Sequence, residues 1–220
     1  MIVLLKVFVN KIKYILWDHD GVLVDTEKWY FEANRKALNE LGIELDLNQY
    51  MQFMLMGKSC WDLARRKGKF EDEVQLQKKK RNAYYQEFLV SEDIEIPHVE
   101  ETLARFSEKY SMAIVTTSKR EDFELIHKNR SIKKYMKFVL TLGDYGRAKP
   151  APDPYLAALR RFNADASEAV VIEDSGRGLK SAIEAGIRCI IVRNEFTKSH
   201  DFAGAYRVVD SVGDLAGILL

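Results

Sequence analysis

Hydrophobic and polar positions follow two different periods along the chain. Short apolar runs followed by polar residues predict strands at residues 13–17, 112–116, 138–142, 169–173, 188–192 and 207–209. Apolar residues at helical spacing between the later runs predict helices at residues 100–109, 122–129, 155–162 and 179–185. This alternation of β and α elements predicts an α/β fold with a mostly parallel sheet flanked by helices.

Between the first and second apolar runs the pattern is helical only. A first helix is predicted around residues 30–41, where apolar side chains recur at helical spacing and Gly42 follows as a C-terminal cap. A short helix capped by Ser59 and ended by Gly68 comes next, and residues 71–89 form a longer one whose basic run 78–81 is its solvated face. We therefore expect a helical unit inserted after the first strand.

Composition limits the classes of protein that the chain can belong to. Its 220 residues suffice for one domain with an inserted unit, and a formal net charge of +1 gives no reason to expect nucleic acid or an anionic membrane as a partner. Cys60 and Cys189 are too few for a disulfide framework and suit a reducing cytosol, so we expect buried, unreactive thiols. The predicted location is cytoplasmic.

The start of the chain is apolar over residues 1–9, which is too short a segment to span a bilayer. Lys6 interrupts the run and no small-residue cleavage site follows, so we expect no signal peptide. We interpret this segment as an additional strand or a loosely attached arm, whose role the sequence does not determine.

Two carboxylates follow the first strand. Asp18 and Asp20 lie one residue apart and would start on the same side of an extended segment, and Gly21 then allows the backbone to turn away. By the same alternation His19 should point away from a bound ligand, as a packed or solvent-facing side chain and not a catalytic one. Strand ends in α/β sheets bind ligands, and two neighbouring acids there favour a divalent cation, although Asp and Gly are also ordinary turn residues.

Three later segments carry further candidate chemistry. Thr116, Thr117 and Ser118 follow the second strand with three hydroxyl groups. Lys149 precedes the proline-rich turn Pro-Ala-Pro-Asp-Pro, and Glu173 with Asp174 ends a fully apolar run. Because the carboxyl ends of parallel strands share one edge of the sheet, these side chains are expected to converge.

This ordered set of segments resembles the haloacid dehalogenase (HAD) superfamily, specifically its phosphoglycolate phosphatase and β-phosphoglucomutase-like branch. The resemblance covers nearly the whole chain. It implies a Rossmann-like core formed by residues 1–26 and 98–220 and an α-helical cap domain at residues 27–97. It further implies an Mg²⁺-dependent phosphatase acting on a small phosphorylated metabolite, a hydrolase of phosphoric monoesters.

The resemblance also implies roles for the catalytic residues. Asp18 would attack phosphorus and form an aspartyl-phosphate, and Asp20 would serve as general acid and then general base. Thr116 would hold a phosphoryl oxygen, with Thr117 and Ser118 as alternatives for that contact. Lys149 would neutralise phosphate charge and keep the nucleophile ionised.

The same resemblance implies the metal and substrate contacts. Asp18, the backbone carbonyl of Asp20, Asp174 and Glu173 would hold Mg²⁺, with Glu173 binding directly or through water. In the cap, Gly57 and Lys58 follow an apolar run and are candidates for a lid loop that reaches the substrate, although a simple turn between helices explains them equally well.

Competing functions differ in the residues that they require. A receiver domain would carry its acidic pair upstream of the phosphorylated Asp, and a haloalkanoate dehalogenase would need neither Asp20 nor a metal. A β-phosphoglucomutase-like sugar-phosphate mutase is the alternative that shares the whole core. Such mutases carry a histidine and an arginine where this chain has Tyr30 and Cys60, which favours a phosphatase.

Overall fold

A computed structural model describes residues 12–220 of the chain. Two compact units divide these residues: one contains the chain up to Asp25 together with Glu95–Leu220, and the other is Thr26–Ile94. The strand or arm that the sequence predicts at residues 1–9 lies outside the described residues. The inserted unit has its own buried centre, with Ala33, Leu38 and Val74 fully enclosed.

Among the described residues, the larger unit contains a six-stranded sheet with the strand order β3-β2-β1-β4-β5-β6. All the pairings between neighbouring strands are parallel. The strands are β1 (Tyr14–Trp17), β2 (Ser111–Val115), β3 (Met136–Leu140), β4 (Ala169–Glu173), β5 (Arg188–Val192) and β6 (Arg207–Val209). The prediction of a mostly parallel α/β sheet is confirmed.

The predicted bounds of strand β3 were wrong. The sequence placed it at residues 138–142, two residues beyond its observed end at Leu140. The strand stops early because Asp144 accepts hydrogen bonds from the backbone N–H of Thr141 at 2.8 Å and from its hydroxyl at 3.1 Å. This side-chain turn ends the ladder, whereas the apolar Leu142 beyond it lies exposed.

Four helices form the inserted unit: α1 (Glu27–Asn39), α2 (Leu47–Leu55), α3 (Asp62–Arg66) and α4 (Glu71–Ser91). Helix α2 was not predicted as a separate element. A capping box between Asp46 and Gln49 starts it. Ser59 does not cap α3 as expected; Trp61 occupies that position, and the Ser59 hydroxyl accepts from the Trp61 N–H at 3.3 Å.

The basic run of α4 is only partly a solvated face. Lys79 and Lys80 are exposed, as the sequence predicts. Arg81, in contrast, points toward α1, where its NH1 donates to the hydroxyl of Tyr30 at 2.7 Å and to Oδ1 of Asn34 at 3.0 Å. Trp61 Nε1 donates to the same Asn34 oxygen at 2.8 Å, so a polar cluster joins α1, α3 and α4.

Five helices accompany the sheet in the larger unit: α5 (Val99–Ser107), α6 (Arg120–Ile126), α7 (Asp153–Phe162), α8 (Gly176–Glu184) and α9 (Ala216–Leu219). Side chains alternate across the sheet and fill two apolar layers. Ile15 and Trp17 face the layer completed by α5, whereas Leu16 faces the layer completed by α7 and α8. Strand β4 is buried along its whole length, as expected near the middle of a sheet covered on both faces.

Within residues 12–220, none of the helices combines the length and apolar character needed to cross a membrane.

Candidate active site

The candidate residues of the larger unit gather at the carboxyl edge of the sheet. Asp18 follows β1, Thr116 follows β2, and Glu173 ends β4. Strand order runs outward through β2 and β3 on one side of β1 and through β4 on the other, so the connections diverge between β1 and β4. Ligands of open α/β sheets bind at such a switch point.

Lys149 lies at the centre of this edge with its side chain almost fully enclosed. Its Nζ donates to Oδ1 of Asp18 at 2.6 Å, to Oε1 of Glu173 at 2.7 Å and to the carbonyl oxygen of Val115 at 2.9 Å. One ammonium group thus joins residues that follow or end three different strands, and all three of its protons are used.

Glu173 is fully buried, and both of its carboxylate oxygens accept hydrogen bonds. The hydroxyl of Tyr155 donates to Oε1 at 2.8 Å beside Lys149. Oε2 accepts from the backbone N–H groups of Asp174 at 3.1 Å and Ser175 at 3.2 Å, and from the Ser175 hydroxyl at 3.0 Å. Hydrogen bonding of this extent compensates the cost of removing a carboxylate from water.

The charges of the cluster are unevenly balanced. Burial raises the pKa of Asp18 to about 6, and the negative charge of Glu173 adds to the effect, against the opposing influence of Lys149. Burial also acts to raise the pKa of Glu173, but Lys149 and the surrounding donors bring it below its ordinary value. The two carboxylates in turn raise the pKa of Lys149 despite its burial, so this residue stays charged. A single ammonium group therefore does not compensate both acids.

Asp174 is oriented by a residue from the other side of β4. The side-chain amide of Asn194, just after β5, donates to Oδ2 of Asp174 at 2.7 Å. Gly21 approaches the same oxygen closely: its φ is +81°, and a Cβ there would lie 2.3 Å from Oδ2. Only glycine meets both conditions, which explains why it follows Asp20 in this sequence.

Asp20 is held by hydroxyl groups from the loop after β2. The Thr116 hydroxyl donates to its Oδ2 at 3.2 Å and the Ser118 hydroxyl at 2.5 Å. The Ser118 N–H in turn donates to Oγ1 of Thr116 at 3.0 Å, which fixes the loop. Thr117, the third candidate, accepts instead from Arg177 at 3.2 Å, so the structure brings Thr116 and Ser118 to Asp20 but not Thr117.

The donor set fits a hard divalent cation. Carboxylate oxygens of Asp18, Glu173 and Asp174 lie within 4.8 Å of one another, and oxygen-only ligands suit Mg²⁺. The raised pKa of Asp18 points the same way, because repulsion from Glu173 would fall if a cation stood between the acids. Glu173 is already fully engaged by protein donors, so Asp18 and Asp174 are the better direct ligands.

Gly57 and Lys58, the predicted substrate-binding residues of the helical unit, lie in the turn after α2. The N–H of Gly57 donates to the carbonyl oxygen of Met54 at 3.0 Å, and that of Lys58 to Phe53 at 2.8 Å. Gly57 has a φ of +63°, typical of a helix end. Their contact with substrate stays a prediction.

Sequence reasoning missed several residues that shape the site. Asn194 follows the end of a predicted strand, where polar groups are candidates for a site, so its position offered a usable pattern. Tyr155 directly follows the proline-rich turn after Lys149 and was predicted only as the start of a helix. His19 is fully enclosed, one of the two environments that the sequence predicts for it, and its Nδ1 lies 3.3 Å from Oδ2 of Asp20. Its partner, His127, had no pattern that could have indicated it.

The residues of the candidate site lie within the part of the chain that matches a known family. The family model described as haloacid dehalogenase-like hydrolase matches residues 15–192, which include all the candidate residues discussed above except Asn194. The chain therefore belongs to the haloacid dehalogenase-like hydrolase family.

Curated relatives match most of the chain. Protein CbbY of Cereibacter sphaeroides is 30% identical over 94% of this chain and 95% of its own. The phosphorylated carbohydrates phosphatase of Thermotoga maritima is 30% identical over 80% of this chain and 82% of its own. The solved β-phosphoglucomutase of Clostridium difficile shares the fold, with a TM-score of 0.74 and 24% identity over 93% of each chain.

These findings confirm the family and branch that the sequence motifs predict. The enzyme class expected from the sequence, a HAD-type hydrolase of phosphoric monoesters, is confirmed with them.

Proposed function

We propose that this enzyme is an Mg²⁺-dependent phosphatase that hydrolyses a small phosphorylated metabolite through an aspartyl-phosphate on Asp18. The observation that carries the proposal is the arrangement around Lys149, which lies 2.6 Å from Oδ1 of Asp18 and 2.7 Å from Oε1 of Glu173 at the edge where Asp174 also lies. A phosphatase and CbbY among the relatives support this substrate class.

The reaction divides into two phosphoryl transfers. In the first, a carboxylate oxygen of Asp18 bonds to phosphorus, the bond to the leaving oxygen breaks, and Asp20 gives that oxygen a proton. In the second, Asp20 takes a proton from water, whose oxygen bonds to phosphorus and releases phosphate and the free carboxylate of Asp18. Both steps need Asp20 in a fixed orientation, and Thr116 and Ser118 supply donors for it.

Lys149 serves the same steps by holding the nucleophile. Its ammonium group fixes one oxygen of Asp18 and adds positive charge beside the phosphate. We infer that Mg²⁺, when bound, is held by Asp18, Asp174 and the backbone carbonyl of Asp20, with Glu173 at its side. The ion would supply the charge that lets an anionic nucleophile approach an anionic phosphate.

Water rather than a sugar hydroxyl is the proposed final acceptor. Tyr30 and Cys60 replace the histidine and arginine that the mutase branch uses, and Cys60 is buried with a pKa raised to about 11. Arg81 is not assigned the role of that arginine, because its Nε and NH1 donate to Asn82, Tyr30 and Asn34 within the helical unit. A mutase must bind a second phosphate, for which a planar guanidinium is best suited.

The test follows both products of one reaction. The enzyme is incubated with Mg²⁺, β-glucose 1-phosphate and a trace of glucose 1,6-bisphosphate, while glucose 6-phosphate and free phosphate are measured. A parallel screen uses p-nitrophenyl phosphate and a panel of small phosphorylated metabolites. We expect phosphate release from members of the panel. Rapid glucose 6-phosphate formation with little free phosphate would instead establish the mutase, the alternative that shares this core.

Three further assignments accompany the proposal. Residues 27–97 are taken as the cap that selects the substrate, with Gly57 and Lys58 in its substrate loop, and the enzyme is placed in the cytoplasm. The resemblance to the phosphoglycolate phosphatase and β-phosphoglucomutase-like branch supports the cap assignment. The two free cysteines, both of which are buried, support the cytoplasmic location.

A further inference from the structure

A pair of buried histidines extends inward from Asp20. His19 lies between the two acids of the first motif and is fully enclosed, and its Nε2 is 2.8 Å from Nε2 of His127. His127 directly follows α6 and is also buried. Phe123 packs on both imidazoles, with ring centroids 5.0 Å from His19 and 4.5 Å from His127. The pair thus connects helix α6 with the loop that carries Asp20.

The surroundings of His127 determine which ring nitrogens carry protons. Burial and the neighbouring His19 lower the pKa of His127 to about 3, so the ring is neutral and has one N–H. Its Nδ1 is buried without a hydrogen-bond partner among residues 12–220. A bare nitrogen is tolerated there better than an N–H with no acceptor, which places the proton on Nε2.

This assignment sets the direction of the whole chain of hydrogen bonds. His127 Nε2 donates to His19 Nε2, which therefore carries no proton. The proton of His19 must then be on Nδ1, 3.3 Å from Oδ2 of Asp20. That oxygen thus accepts from His19, which follows β1, and from Thr116 and Ser118, which follow β2.

We propose that His127, acting through His19, is a positioning residue that fixes the carboxyl group of Asp20 for proton transfer to the leaving oxygen. The inference rests on the proposed phosphatase function. Proton transfer is efficient only when donor and acceptor are aligned, so loosening one donor to Asp20 should slow the steps that need its proton. If His127 only packed against Phe123, its loss would not slow the proton-dependent steps in particular.

The experiment compares two substrates that differ in their need for an acid. In p-nitrophenyl phosphate the leaving group departs without a proton, whereas in phenyl phosphate it needs one. We expect His127→Phe to lower kcat/KM for phenyl phosphate by about tenfold or more, against less than about threefold for p-nitrophenyl phosphate. KM should change little, and His127→Gln, which retains an N–H donor, should recover most of the loss.

Two further variants distinguish the loss of the hydrogen bonds to Asp20 from a disturbance of the packing around the histidines. Phe123→Leu disturbs the packing around both rings and leaves their hydrogen bonds in place, so it should show no selective loss. Asp20→Asn should show the strongest selective loss. Equal losses on both substrates in His127→Phe, or the same selectivity in Phe123→Leu, would overturn the positioning role. Selectivity in Asp20→Asn without any in His127→Phe would overturn it while leaving the phosphatase function intact, and an Asp20→Asn variant of normal activity would overturn the function itself.

A measurement on the unmodified protein covers the case in which His127→Phe does not fold. Nitrogen-15 NMR of labelled imidazoles distinguishes the two neutral tautomers. We expect a proton on Nε2 of His127 and on Nδ1 of His19, and the opposite tautomers would contradict the proposal.

Discussion

Lys149 illustrates how individual side chains create the site. Its ammonium group contacts Asp18 and Glu173, which come from the ends of two different strands. Removing Lys149 would leave two buried carboxylates without a compensating charge, which costs far more than the loss of an exposed ion pair. Removing the charge of Asp18 instead leaves Lys149 paired with Glu173, so the fold should persist, and Asp18 alone is expected to form a bond with the substrate.

Asp18→Asn should abolish turnover while the fold persists, because an amide cannot attack phosphorus. We expect hydrolysis of p-nitrophenyl phosphate to fall by about a thousandfold or more, with an unchanged circular dichroism spectrum. Asp210→Asn is the matched control, since Asp210 is exposed and pairs with Arg193 on the surface. A folded Asp18→Asn protein with a sizeable fraction of the normal rate would remove Asp18 from the nucleophile's role.

At the scale of elements, the start of α8 shapes the space around Glu173. Gly178 lies in the first turn of this helix, and a Cβ at that position would fall 1.8 Å from Cδ of Glu173. The N-cap hydroxyl of Ser175 accepts from the Gly178 N–H at 3.1 Å and donates to Glu173. The absence of a side chain at Gly178 thus allows the start of α8 to pack directly against the carboxylate of Glu173.

Gly178→Ala should disturb both stability and activity, because either α8 or Glu173 must move to admit the methyl group. We expect a loss of about 1–3 kcal/mol in the free energy of unfolding, measured by urea denaturation, together with weaker phosphatase activity. Gly217→Ala serves as the control, since a Cβ there meets nothing within 4 Å. If Gly178→Ala is as stable and active as the control, the close fit around Glu173 has no energetic role.

Elements also differ in how far their bounds could be predicted. Strand β4 was placed correctly, because its continuous burial gives a continuous apolar run. Strand β3 was misplaced because Thr141 and Asp144 form a side-chain turn within an apolar stretch. Helix α2 was missed because its capping box precedes a run whose apolar residues are not clearly periodic.

For the molecule as a whole, the concentration of negative charge at one edge of the sheet favours the binding of a cation there. Asp18, Glu173 and Asp174 come from two neighbouring strands, β1 and β4, and Lys149 compensates only part of their charge. A cation that binds the folded protein and not the unfolded chain increases the free energy of unfolding. Metal binding can therefore be measured without any substrate.

Mg²⁺ should raise the melting temperature of the protein, with a stabilisation of about 2.7 kcal/mol at a concentration one hundred times Kd. EDTA should remove both this increase and the phosphatase activity. Ca²⁺ should restore activity poorly, because it favours longer bonds and higher coordination numbers. Asp174→Asn should lose most of the thermal shift. Full activity after thorough chelation would contradict the magnesium requirement and favour a metal-free reaction like that of a haloalkanoate dehalogenase.

The sequence by itself determined the sheet, its helical insertion and the candidate site residues of the ordered motifs. These features depend on local periodicity and on short ordered motifs, so Asp18, Asp20, Lys149, Glu173 and Asp174 could be found without coordinates. Tertiary structure alone decided which distant side chains serve them. His127, 108 residues from His19, and Asn194, 20 residues from Asp174, reach the site only after the sheet has formed. Contacts between distant segments have no local period, and only the packing of helices and loops against the sheet brings them within hydrogen-bonding distance.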